Sequence, residues 1–484
     1  MRRPHPSAAS LRSALATVLA VLALVVGALV AVPGTSQAAG SLPCDIYGAA
    51  NTPCVAAYST VRALYSGYAG SLYRVSRASD GTALDVGLSG AGGYANAAAQ
   101  DGFCAGTSCT ITRIYDQSAE HNDLTVEGAG AAGAADHGAS ASALPMFVDG
   151  HHVYGVLVTP GTGYRHTDGA GVAVNGQAES MYMVASGTHV NGGCCFDFGN
   201  AEHTVTDTGN GHMDAVYIGT RCHIPPCTGS GPWVAADLEN GLFQGSGNNP
   251  NDLGNSSAFV TALVKNNGQT SFAVKGGDSQ SGALSTWWNG ALPSGGYTPM
   301  HQEGSIVLGT GGDNSNASAG SFFEGVMTAG YSTDAADNAV QADIVAAGYT
   351  GSSNGDPGST IAGPGGTCVD VAGDDTGVNH AAVQLWACQP QAVDQHWTHN
   401  ANGSLETLGR CMDIMGNATA AGTKVQLWDC DGVGGQVWTQ QTDGSLLNPQ
   451  SGLCLDATGG STANGTRLQI AACNGGAGQK FALS

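Results

Sequence analysis

The chain has 484 residues and a formal net charge of -22, with 15 Lys and Arg residues against 37 Asp and Glu residues. An acidic surface of this kind repels nucleic acid and anionic membranes, so neither is expected as a partner. Only 11% of the residues are charged and 75 are glycine, whereas the hydrophobic share of 42% is ordinary. This composition is typical of a loop-rich β protein and excludes a disordered chain.

Residues 1–39 have the features of a signal peptide. Arginines precede a long apolar run over residues 14–32, and small residues then lead to a cleavage site at Ala38 or Ala39. The alternative is an uncleaved membrane anchor, but Pro33 and the small residues that follow favour cleavage. All 14 cysteines lie after this segment and form an even set, which predicts disulfides and a secreted, extracellular protein without membrane contact.

Residues 41–350 contain short runs rich in Val, Ile, Tyr and Phe between turns of Gly, Asn, Asp and Ser. Examples are SMYMVA, AVYIGT, SSAFVTALV and GSIVLGT. Strands at this frequency predict an all-β domain built as a β-sandwich. One stretch at 334–349 has helical spacing instead, with Asp334 or Asp337 as the expected N-cap.

Residues 351–366 are rich in Gly, Ser and Pro, which predicts a linker. Residues 367–484 then repeat three times, in units that begin at Cys368, Cys411 and Cys454. Each unit has C-x-D, a Q-L or Q-I step, a second Cys and Q-x-W or Q-x-F. Such units are too small to fold singly, but three can close a shared core. The repeats resemble the ricin-type β-trefoil of family 13 carbohydrate-binding modules.

In that family the Asp of C-x-D and the Gln and Trp of Q-L-W line shallow sugar pockets, where polar groups bind hydroxyls and the ring covers the sugar face. The resemblance implies three such sets here: Asp370, Gln384 and Trp386; Asp413, Gln426 and Trp428; Asp456 and Gln469. The third set has Ala471 in place of Trp and is expected to bind weakly or not at all. The alternatives are that these tryptophans pack and that these aspartates hold turns. Three aromatic residues of the Q-x-W or Q-x-F steps are expected in the core: Trp397, Trp438 and Phe481.

The first domain lacks the common motifs of several enzyme classes. It has no G-x-S-x-G, no H-E-x-x-H and no Cys-His metal spacing, so neither a metal nor another cofactor is expected. Carboxylates remain, and hydrolysis of a sugar bond needs only two of them. Composition alone does not choose the pair.

A series of motifs in residues 43–350 resembles glycoside hydrolase family 54, the secreted α-L-arabinofuranosidases. In chain order they include FCAGTSCTITRIYDQS, PGTGYR, CCFDFGN, TDTGNGHMDAVYIG, GPWVAADLENGLFQG and LGTGGDNSN. The resemblance implies a concanavalin-like β-sandwich and hydrolysis with retention of the anomeric configuration.

The family's catalytic motifs carry over onto two acidic residues. Its D-x-E-N places the nucleophile at Glu239, and its G-G-D-N-S-N places the acid/base at Asp313. Asn240 and Gly312 are expected to touch the sugar. Asp237 and Glu239 are two apart, so on a strand both would project from one face. Asp237 is then expected to shape the charge of the nucleophile and to hydrogen-bond the substrate. Glu324 in FFEGVM is expected to be structural.

The same resemblance implies that the adjacent Cys194 and Cys195 bond to each other and form a wall of the sugar pocket. The alternative is that each pairs with a different strand. The remaining expected disulfides, in both domains, are Cys44–Cys54, Cys104–Cys109, Cys222–Cys227, Cys368–Cys388, Cys411–Cys430 and Cys454–Cys473.

One segment departs from the family pattern. Where family members place an aromatic residue shortly before G-P-W, this chain has RCHIPPCTGSGPW. Either His223 or Trp233 is expected to supply that wall of the pocket. The ricin-type trefoil is a second departure, because members of the family often carry a different arabinose-binding trefoil.

These expectations combine into a secreted, retaining, exo-acting α-L-arabinofuranosidase that removes terminal arabinose from arabinoxylan or arabinan. The expected partner is plant cell-wall polysaccharide, and a monomer is expected. The alternatives are a galactofuranosidase, a bifunctional arabinosidase/xylosidase, or an inactive lectin-like protein. An inactive protein should have lost Glu239 or Asp313, and neither is lost.

Overall fold

The computed structural model describes residue 1 and residues 41–483, except residues 106, 356–358, 374–378, 390–391, 401, 409 and 429. Apart from its first residue, the expected signal peptide lies outside the described residues. Among the residues described, no helix has both the length and the apolar character needed to cross a membrane.

The N-terminal domain is a sandwich of antiparallel sheets. Its strands, in chain order, are β1 (Cys54–Ser59), β2 (Ser71–Arg77), β3 (Ala83–Gly87), β4 (Cys109–Ile114), β5 (Leu124–Val126), β6 (Pro145–Val148), β7 (His151–Tyr154), β8 (Val156–Val158), β9 (Tyr164–His166), β10 (Glu179–Ala185), β11 (Asp197–Ala201), β12 (Asp214–Gly219), β13 (Trp233–Asp237), β14 (Leu242–Phe243), β15 (Val260–Asn266), β16 (Ser271–Asp278), β17 (Ser285–Ala291), β18 (Ser305–Leu308), β19 (Gly320–Ala329) and β20 (Tyr349–Thr350). The predicted all-β sandwich is confirmed.

Two large sheets form the layers of the sandwich. One has seven described strands, in the order β1-β19-β10-β15-β16-β17 with β8 beside β19. The other has ten, in the order β14-β13-β12-β11-β18-β9-β5-β4-β2-β3, and a small sheet joins β20, β6 and β7. Contacts of β10 with β12 and of β13 with β16 bring the layers face to face. The core between them is filled by apolar side chains such as Phe198, Val216 and Val264.

The outer face of the ten-stranded sheet carries small residues where β11, β12 and β13 run side by side. Because side chains alternate along a strand, Phe198 and Val216 point into the core while Ala215 and Ala235 point outward. Gly199 has a φ of 153°, and a Cβ there would lie 2.6 Å from both the Ala215 Cα and the sulfur of the core residue Met181. The small outward side chains leave room for a pocket above the sheet.

Three α-helices are described: α1 (Pro43–Ala49), α2 (Ala97–Cys104) and α3 (Asp334–Ala346). The predicted helix is α3, but the prediction of its N-cap was wrong. The Thr333 side chain accepts from the backbone N–H of Ala336 and caps the helix. Asp334 and Asp337 instead accept hydrogen bonds from the Lys265 ammonium group at 2.7 Å. A buried ammonium group without a partner is strongly destabilising, so these two carboxylates pair with Lys265 and do not cap the helix.

The C-terminal domain is a trefoil of short antiparallel strands. They are β21 (Ser359–Ala362), β22 (Thr367–Val371), β23 (Val383–Ala387), β24 (His396–His399), β25 (Leu405–Thr407), β26 (Arg410–Ile414), β27 (Val425–Trp428), β28 (Thr439–Gln440), β29 (Leu446–Asn448), β30 (Leu453–Ala457), β31 (Thr466–Ala471) and β32 (Ala482–Leu483). The indole N–H groups of Trp397 and Trp438 donate to the carbonyls of Val369 and Met412, both at 3.0 Å. With Phe481, these rings fill equivalent places in the core, as predicted.

The expected linker over 351–366 is too long. Strand β21 lies within it and pairs with β22, β24 and β32, so this part of the segment belongs to the trefoil. Ile361 is 1% exposed in the trefoil core. One apolar residue between Gly, Ser and Pro is a weak strand signal, and only tertiary pairing makes it a strand.

Seven disulfides are present, and they are the seven pairs that the sequence analysis expects. In chain order they are Cys44–Cys54, Cys104–Cys109, Cys194–Cys195, Cys222–Cys227, Cys368–Cys388, Cys411–Cys430 and Cys454–Cys473.

Candidate active site

A pocket of about 180 Å³ lies on the outer face of the ten-stranded sheet, above β11, β12 and β13. It brings together all eight residues expected there: Cys194, Cys195, His223, Asp237, Glu239, Asn240, Gly312 and Asp313. Its other lining residues are Asp207, Met213, Arg221, Gly241, Leu242, Gly311 and Ser315. The residues come from segments far apart in the chain, and the sheet order places these segments side by side.

The Cys194–Cys195 disulfide forms one wall. The Cys195 N–H donates to the carbonyl of Ser315 at 2.8 Å, and the Ala317 N–H donates to the carbonyl of Cys194 at 3.1 Å. Both sulfur atoms lie within 4.8 Å of a carboxylate oxygen of Asp237. The disulfide is thus attached by its backbone to the loop after β18 and presents sulfur beside a carboxyl group.

Glu239 lies in the turn between β13 and β14, with φ of 63°, and Asn240 follows with φ of 54°. The expectation that Asp237 and Glu239 share one face of a strand was therefore wrong, because β13 ends at Asp237. Two hydrogen bonds support the turn: the Glu239 N–H donates to Asp237 Oδ1 at 3.1 Å, and the Tyr297 hydroxyl donates to the Glu239 carbonyl at 2.9 Å. Left-handed backbone at two successive side-chain-bearing residues costs energy and is concentrated at functional sites.

Asp313 is half-buried in the glycine-rich loop that follows β18. Its Oδ1 accepts from the Ser315 N–H at 2.9 Å and from the Ser315 hydroxyl at 2.6 Å. The next residue, Asn314, is buried and donates from its side chain to the carbonyls of Gly128 and Ala134, both at 2.8 Å. One oxygen of Asp313 is thereby fixed by its own loop, which leaves Oδ2 for the pocket.

Carboxyl groups crowd the floor of the pocket, and burial raises their pKa values. Burial is the main cause for Glu239, whose pKa is raised to about 10 with further contributions from Glu202, Asp207 and Asp313. Burial and the neighbouring Glu239 raise the pKa of Asp237 to about 8. Burial raises the pKa of Glu202 to about 7. At neutral pH these groups therefore share protons, and the pocket carries less charge than its carboxyl groups would suggest.

Sequence reasoning missed three acidic residues at this site: Asp197, Glu202 and Asp207. Asp197 had a detectable signal, because it precedes the core residue Phe198 on β11 and so projects from the opposite face. Its pKa is raised by burial and by Asp237. Glu202 and Asp207 follow β11 in a loop, and no local pattern places them against Glu239.

The segment that departs from the family pattern supplies His223 and Arg221 to the pocket. Both side chains are exposed at the mouth. Trp233, the other expected candidate, does not line the pocket: it is 7% exposed and its indole N–H donates to the Thr228 carbonyl at 2.8 Å. The arrangement therefore places an imidazole and a guanidinium group at the rim.

Carboxylate oxygens of Glu202, Asp207 and Glu239 lie within 4.8 Å of one another, a spacing that a hard cation could bridge. Asp207 is exposed, and its Oδ1 already accepts from the Gly209 N–H at 2.8 Å and from the Asn240 side chain at 3.2 Å. The Asp207 carboxylate is thus already hydrogen-bonded, and the function proposed below uses no metal.

Glu324, the structural acid of the sequence analysis, lies outside the pocket. It is fully buried and receives hydrogen bonds from Arg62 Nη2 at 2.8 Å and from the hydroxyls of Tyr182 at 3.0 Å and Tyr349 at 2.6 Å. It is thus part of a buried ion-pair network, which agrees with the structural role expected for it.

The trefoil repeats one polar arrangement three times. Gln384 donates to Asp370 at 2.7 Å, Gln426 to Asp413 at 2.9 Å, and Gln469 to Asp456 at 3.0 Å. A second glutamine from each Q-x-W or Q-x-F step also donates to the same carboxylate. Asp370 and Asp413 are buried, and each carboxylate joins two glutamine side chains of its own unit.

The first two units also present a half-buried tryptophan beside this arrangement. Trp386 lies next to Gly465, and Trp428 lies edge-on to His380 with ring centroids 4.6 Å apart. In the third unit Ala471 provides no ring, and the Lys424 ammonium group donates to Gln469 at 2.9 Å. The three units thus differ in the surface they offer, although their carboxylates are held alike.

Comparisons with known proteins identify both domains. The family described as "Alpha-L-arabinofuranosidase B, catalytic" matches residues 43–350, and the ricin-type β-trefoil lectin domain matches residues 359–481. The probable α-L-arabinofuranosidase B of Aspergillus clavatus is 53% identical over 323 residues, which cover 65% of this chain and 64% of that protein. The "arabinofuranosidase/B-xylosidase" of Trichoderma koningii is 54% identical over 325 residues, or 64% of each chain. The aligned part therefore spans just under two thirds of these relatives.

A solved structure extends the likeness over both domains. A crystallised arabinofuranosidase, in complex with arabinofuranosyl-α-1,2-xylobiose, is 36% identical with a TM-score of 0.62, covering 91% of this chain and 98% of that one. The catalytic-domain match alone covers more than half of the chain. The chain therefore belongs to the α-L-arabinofuranosidase B family, glycoside hydrolase family 54, and carries a ricin-type β-trefoil lectin domain after its catalytic domain.

Proposed function

We propose that this protein is a retaining, exo-acting α-L-arabinofuranosidase that releases terminal arabinofuranose from arabinoxylan or arabinan. The observation that carries the proposal is the pocket in which Glu239 and Asp313 meet beside the Cys194–Cys195 disulfide. Its volume of about 180 Å³ suits one pentose ring, which supports action at a terminal sugar.

In the proposed reaction, Glu239 attacks the anomeric carbon while Asp313 protonates the leaving oxygen, so the glycosidic bond breaks and a glycosyl-enzyme forms. Glu239 attacks as the carboxylate, which burial and the neighbouring acids make its minor form at neutral pH. Asp313, now ionised, takes a proton from water, which attacks the same carbon and releases arabinose and the Glu239 carboxylate. The sulfur surface would pack on the apolar face of the ring. Asn240, Gly312 and Asp237 would hold its hydroxyls.

The trefoil would keep the enzyme on its polymer. Linking a binding module to a catalytic domain raises the local concentration of substrate without a new contact at the active site. We assign sugar binding to the first two units, because they alone combine the buried Asp-Gln arrangement with a half-buried tryptophan. The acidic chain, its disulfides and its fungal relatives support an extracellular enzyme that acts on plant cell-wall polysaccharide.

A first experiment tests the reaction and the catalytic pair together. Mature protein, Glu239→Gln and Asp313→Asn would be assayed on p-nitrophenyl α-L-arabinofuranoside and on an arabinosyl-xylooligosaccharide, with Glu120→Gln as an exposed control outside the pocket. We expect Glu239→Gln to abolish turnover and Asp313→Asn to lower it by about 10²–10⁴-fold. The loss in Asp313→Asn should be larger on the oligosaccharide, because nitrophenolate leaves without needing a proton.

Three outcomes would contradict the proposal. Turnover that survives Glu239→Gln would place the nucleophile elsewhere. An equal loss in Asp313→Asn on both substrates would remove the acid role from Asp313. A folded wild-type protein without turnover would favour the lectin-like alternative.

A second candidate function keeps the site and changes the sugar. The name of the Trichoderma koningii relative combines arabinofuranosidase with xylosidase. In this chain the exposed His223 and Arg221 line the mouth of the pocket, in the segment that departs from the family pattern. Rates on p-nitrophenyl β-D-xyloside and β-D-galactofuranoside would decide between this candidate and a pure arabinofuranosidase. A kcat/KM on either that equals the arabinofuranoside value would establish the broader activity.

A further inference from the structure

Arg221 is a cationic residue at the mouth of the pocket that the mechanism above does not use. It lines the pocket and its side chain is exposed. Within the described part of the chain, its guanidinium takes part in no hydrogen bond and no ion pair. Residues 41–350 contain seven other Lys and Arg residues, and each of these pairs with a carboxylate. Arg221 thus differs from the other cations of its domain, because its donors are free to bind a ligand.

The mouth of the pocket differs in chemistry from its floor. The floor holds the buried carboxyl groups of Asp237 and Glu239. The exposed lining residues form the mouth: Asp207, Arg221, His223 and Asn240. The Asn240 side chain donates to Asp207 Oδ1 at 3.2 Å, so these two side chains are already joined. A sugar seated in the pocket therefore meets carboxyl groups, whereas a group that extends from the mouth meets the unpaired guanidinium of Arg221.

The backbone on both sides of Arg221 is held in place. Directly after it, the Cys222–Cys227 disulfide closes a short loop. Directly before it, the Thr220 N–H donates to the Asn191 carbonyl at 2.9 Å. The Asn191 side chain in turn donates to the carbonyl of Ala317, in the loop that follows β18, at 3.1 Å. The position of the Arg221 backbone is therefore set before substrate arrives, which lowers the entropy cost of a contact made there.

The part of the substrate that lies at the mouth is the leaving group. Because the pocket of about 180 Å³ takes one pentose ring, the sugar unit that carries the arabinose stays outside it. This sugar presents several hydroxyl oxygens, which accept hydrogen bonds, and a guanidinium has only donors to offer. A nitrophenyl leaving group has no hydroxyl oxygen. The two kinds of substrate should therefore differ in how much they depend on Arg221.

We propose that Arg221 is a specificity-determining residue, whose guanidinium donates hydrogen bonds to hydroxyl oxygens of the sugar unit that carries the terminal arabinose. The inference rests on the proposed function and deepens it, since it names the group that recognises the leaving sugar. Arg221 takes no part in bond breaking, and it lies in the segment that departs from the family pattern.

A comparison of two substrates separates this role from a merely structural one. Wild type and Arg221→Met would be assayed on arabinofuranosyl-α-1,2-xylobiose and on p-nitrophenyl α-L-arabinofuranoside. We expect the ratio of kcat/KM on the oligosaccharide to kcat/KM on the nitrophenyl glycoside to fall by about tenfold, mainly through KM. Arg74→Met, on β2 and outside the pocket, is the matched control and should keep the wild-type ratio. A distorted pocket would lower both rates alike, so an unchanged ratio in Arg221→Met would overturn the proposal.

A second measurement needs no turnover and so stays decisive if the proposed reaction fails. Arabinofuranosyl-α-1,2-xylobiose would be titrated calorimetrically into Glu239→Gln and into the double variant Glu239→Gln/Arg221→Met. The trefoil is identical in both proteins, so a difference in affinity belongs to the pocket. We expect the Kd to rise by about tenfold in the double variant, and an equal Kd would overturn the proposal. Weaker binding by the double variant, with a wild type that turns over no furanoside, would contradict the proposed function alone.

Discussion

Gly312 lies so close to Glu202 that the active site has no space for a side chain at this position. A Cβ at this position would lie 1.7 Å from Glu202 Oε2, closer than any non-bonded contact allows. Arg165 donates a hydrogen bond to the Gly312 carbonyl, so the backbone cannot easily move away from Glu202. The glycine is therefore required by the neighbouring carboxyl group and not by its backbone conformation.

We expect Gly312→Ala to lower kcat/KM on p-nitrophenyl α-L-arabinofuranoside by about 100-fold or more, because a displacement of about 1 Å near reacting groups can cost that much. Gly67→Ala is the matched control, since a Cβ there meets nothing within 4 Å and its φ is not positive. Steady-state kinetics with thermal midpoints would check this. A Gly312→Ala enzyme as active as the control would show that Glu202 has free space to move.

At the residue scale, what the sequence could predict depended on whether a residue belongs to a motif. Glu239, Asp313 and the two adjacent cysteines were placed by family resemblance, and all four line the pocket. Glu202 was missed because its place beside residues 239 and 312 comes from the tertiary fold, which local spacing cannot show. The turn at Glu239 was predicted as strand, because a left-handed φ at a glutamate has no signal in the sequence.

Among the elements, those with repeated patterns were predicted best. The frequent short β-rich runs of the first domain and the three trefoil units appear in the sequence, and the structure confirms both architectures. Strand β21 was missed because it contains one core residue, Ile361, and is stabilised by partners more than 30 residues away. Short strands of this kind owe their conformation to tertiary pairing and not to propensity.

The trefoil units are expected to differ in binding although they share one backbone pattern. Trp386→Ala and Trp428→Ala should each weaken retention on soluble arabinoxylan, since a ring stacked on a sugar face contributes about 1 kcal/mol or more. Affinity electrophoresis would measure the retention. Asp456→Asn in the third unit, which lacks the tryptophan, is the control and should leave retention unchanged. Retention that depends only on the third unit would reverse the assignment.

At the scale of the whole molecule, buried acids dominate the electrostatics. Besides the pocket, Asp214 and Glu179 form a fully buried carboxyl pair between the sheets, and burial raises the pKa of Asp214 to about 7. Glu127 has its pKa raised to about 8, mainly by burial, although Arg165 opposes the shift. These carboxyl groups keep protons in the folded protein that they would release, near pH 4, in the unfolded chain.

This difference fixes the sign of the pH dependence. A group whose pKa is raised by folding contributes stability that is fully present below its unfolded pKa, and this contribution is lost as pH rises through the folded value. With folded values of about 7 for Asp214 and Glu202 and about 8 for Asp237 and Glu127, the loss falls between about pH 4 and pH 8. Acids with lowered pKa values, such as Asp334 at about 2, affect stability only below this window.

We therefore expect the thermal midpoint to fall by roughly 5 °C or more between pH 5 and pH 8, since about 1 kcal/mol shifts the midpoint of a large domain by about 2–4 °C. Calorimetry in buffers of matched ionic strength would measure it. Asp214→Asn should reduce the slope, because the amide cannot ionise in the unfolded chain, and it leaves the pocket residues in place. Asp80→Asn, at an exposed position, should keep the wild-type slope. A midpoint that rises from pH 5 to pH 8 would mean that these acids are ionised in the folded protein and that cations or water stabilise their negative charge.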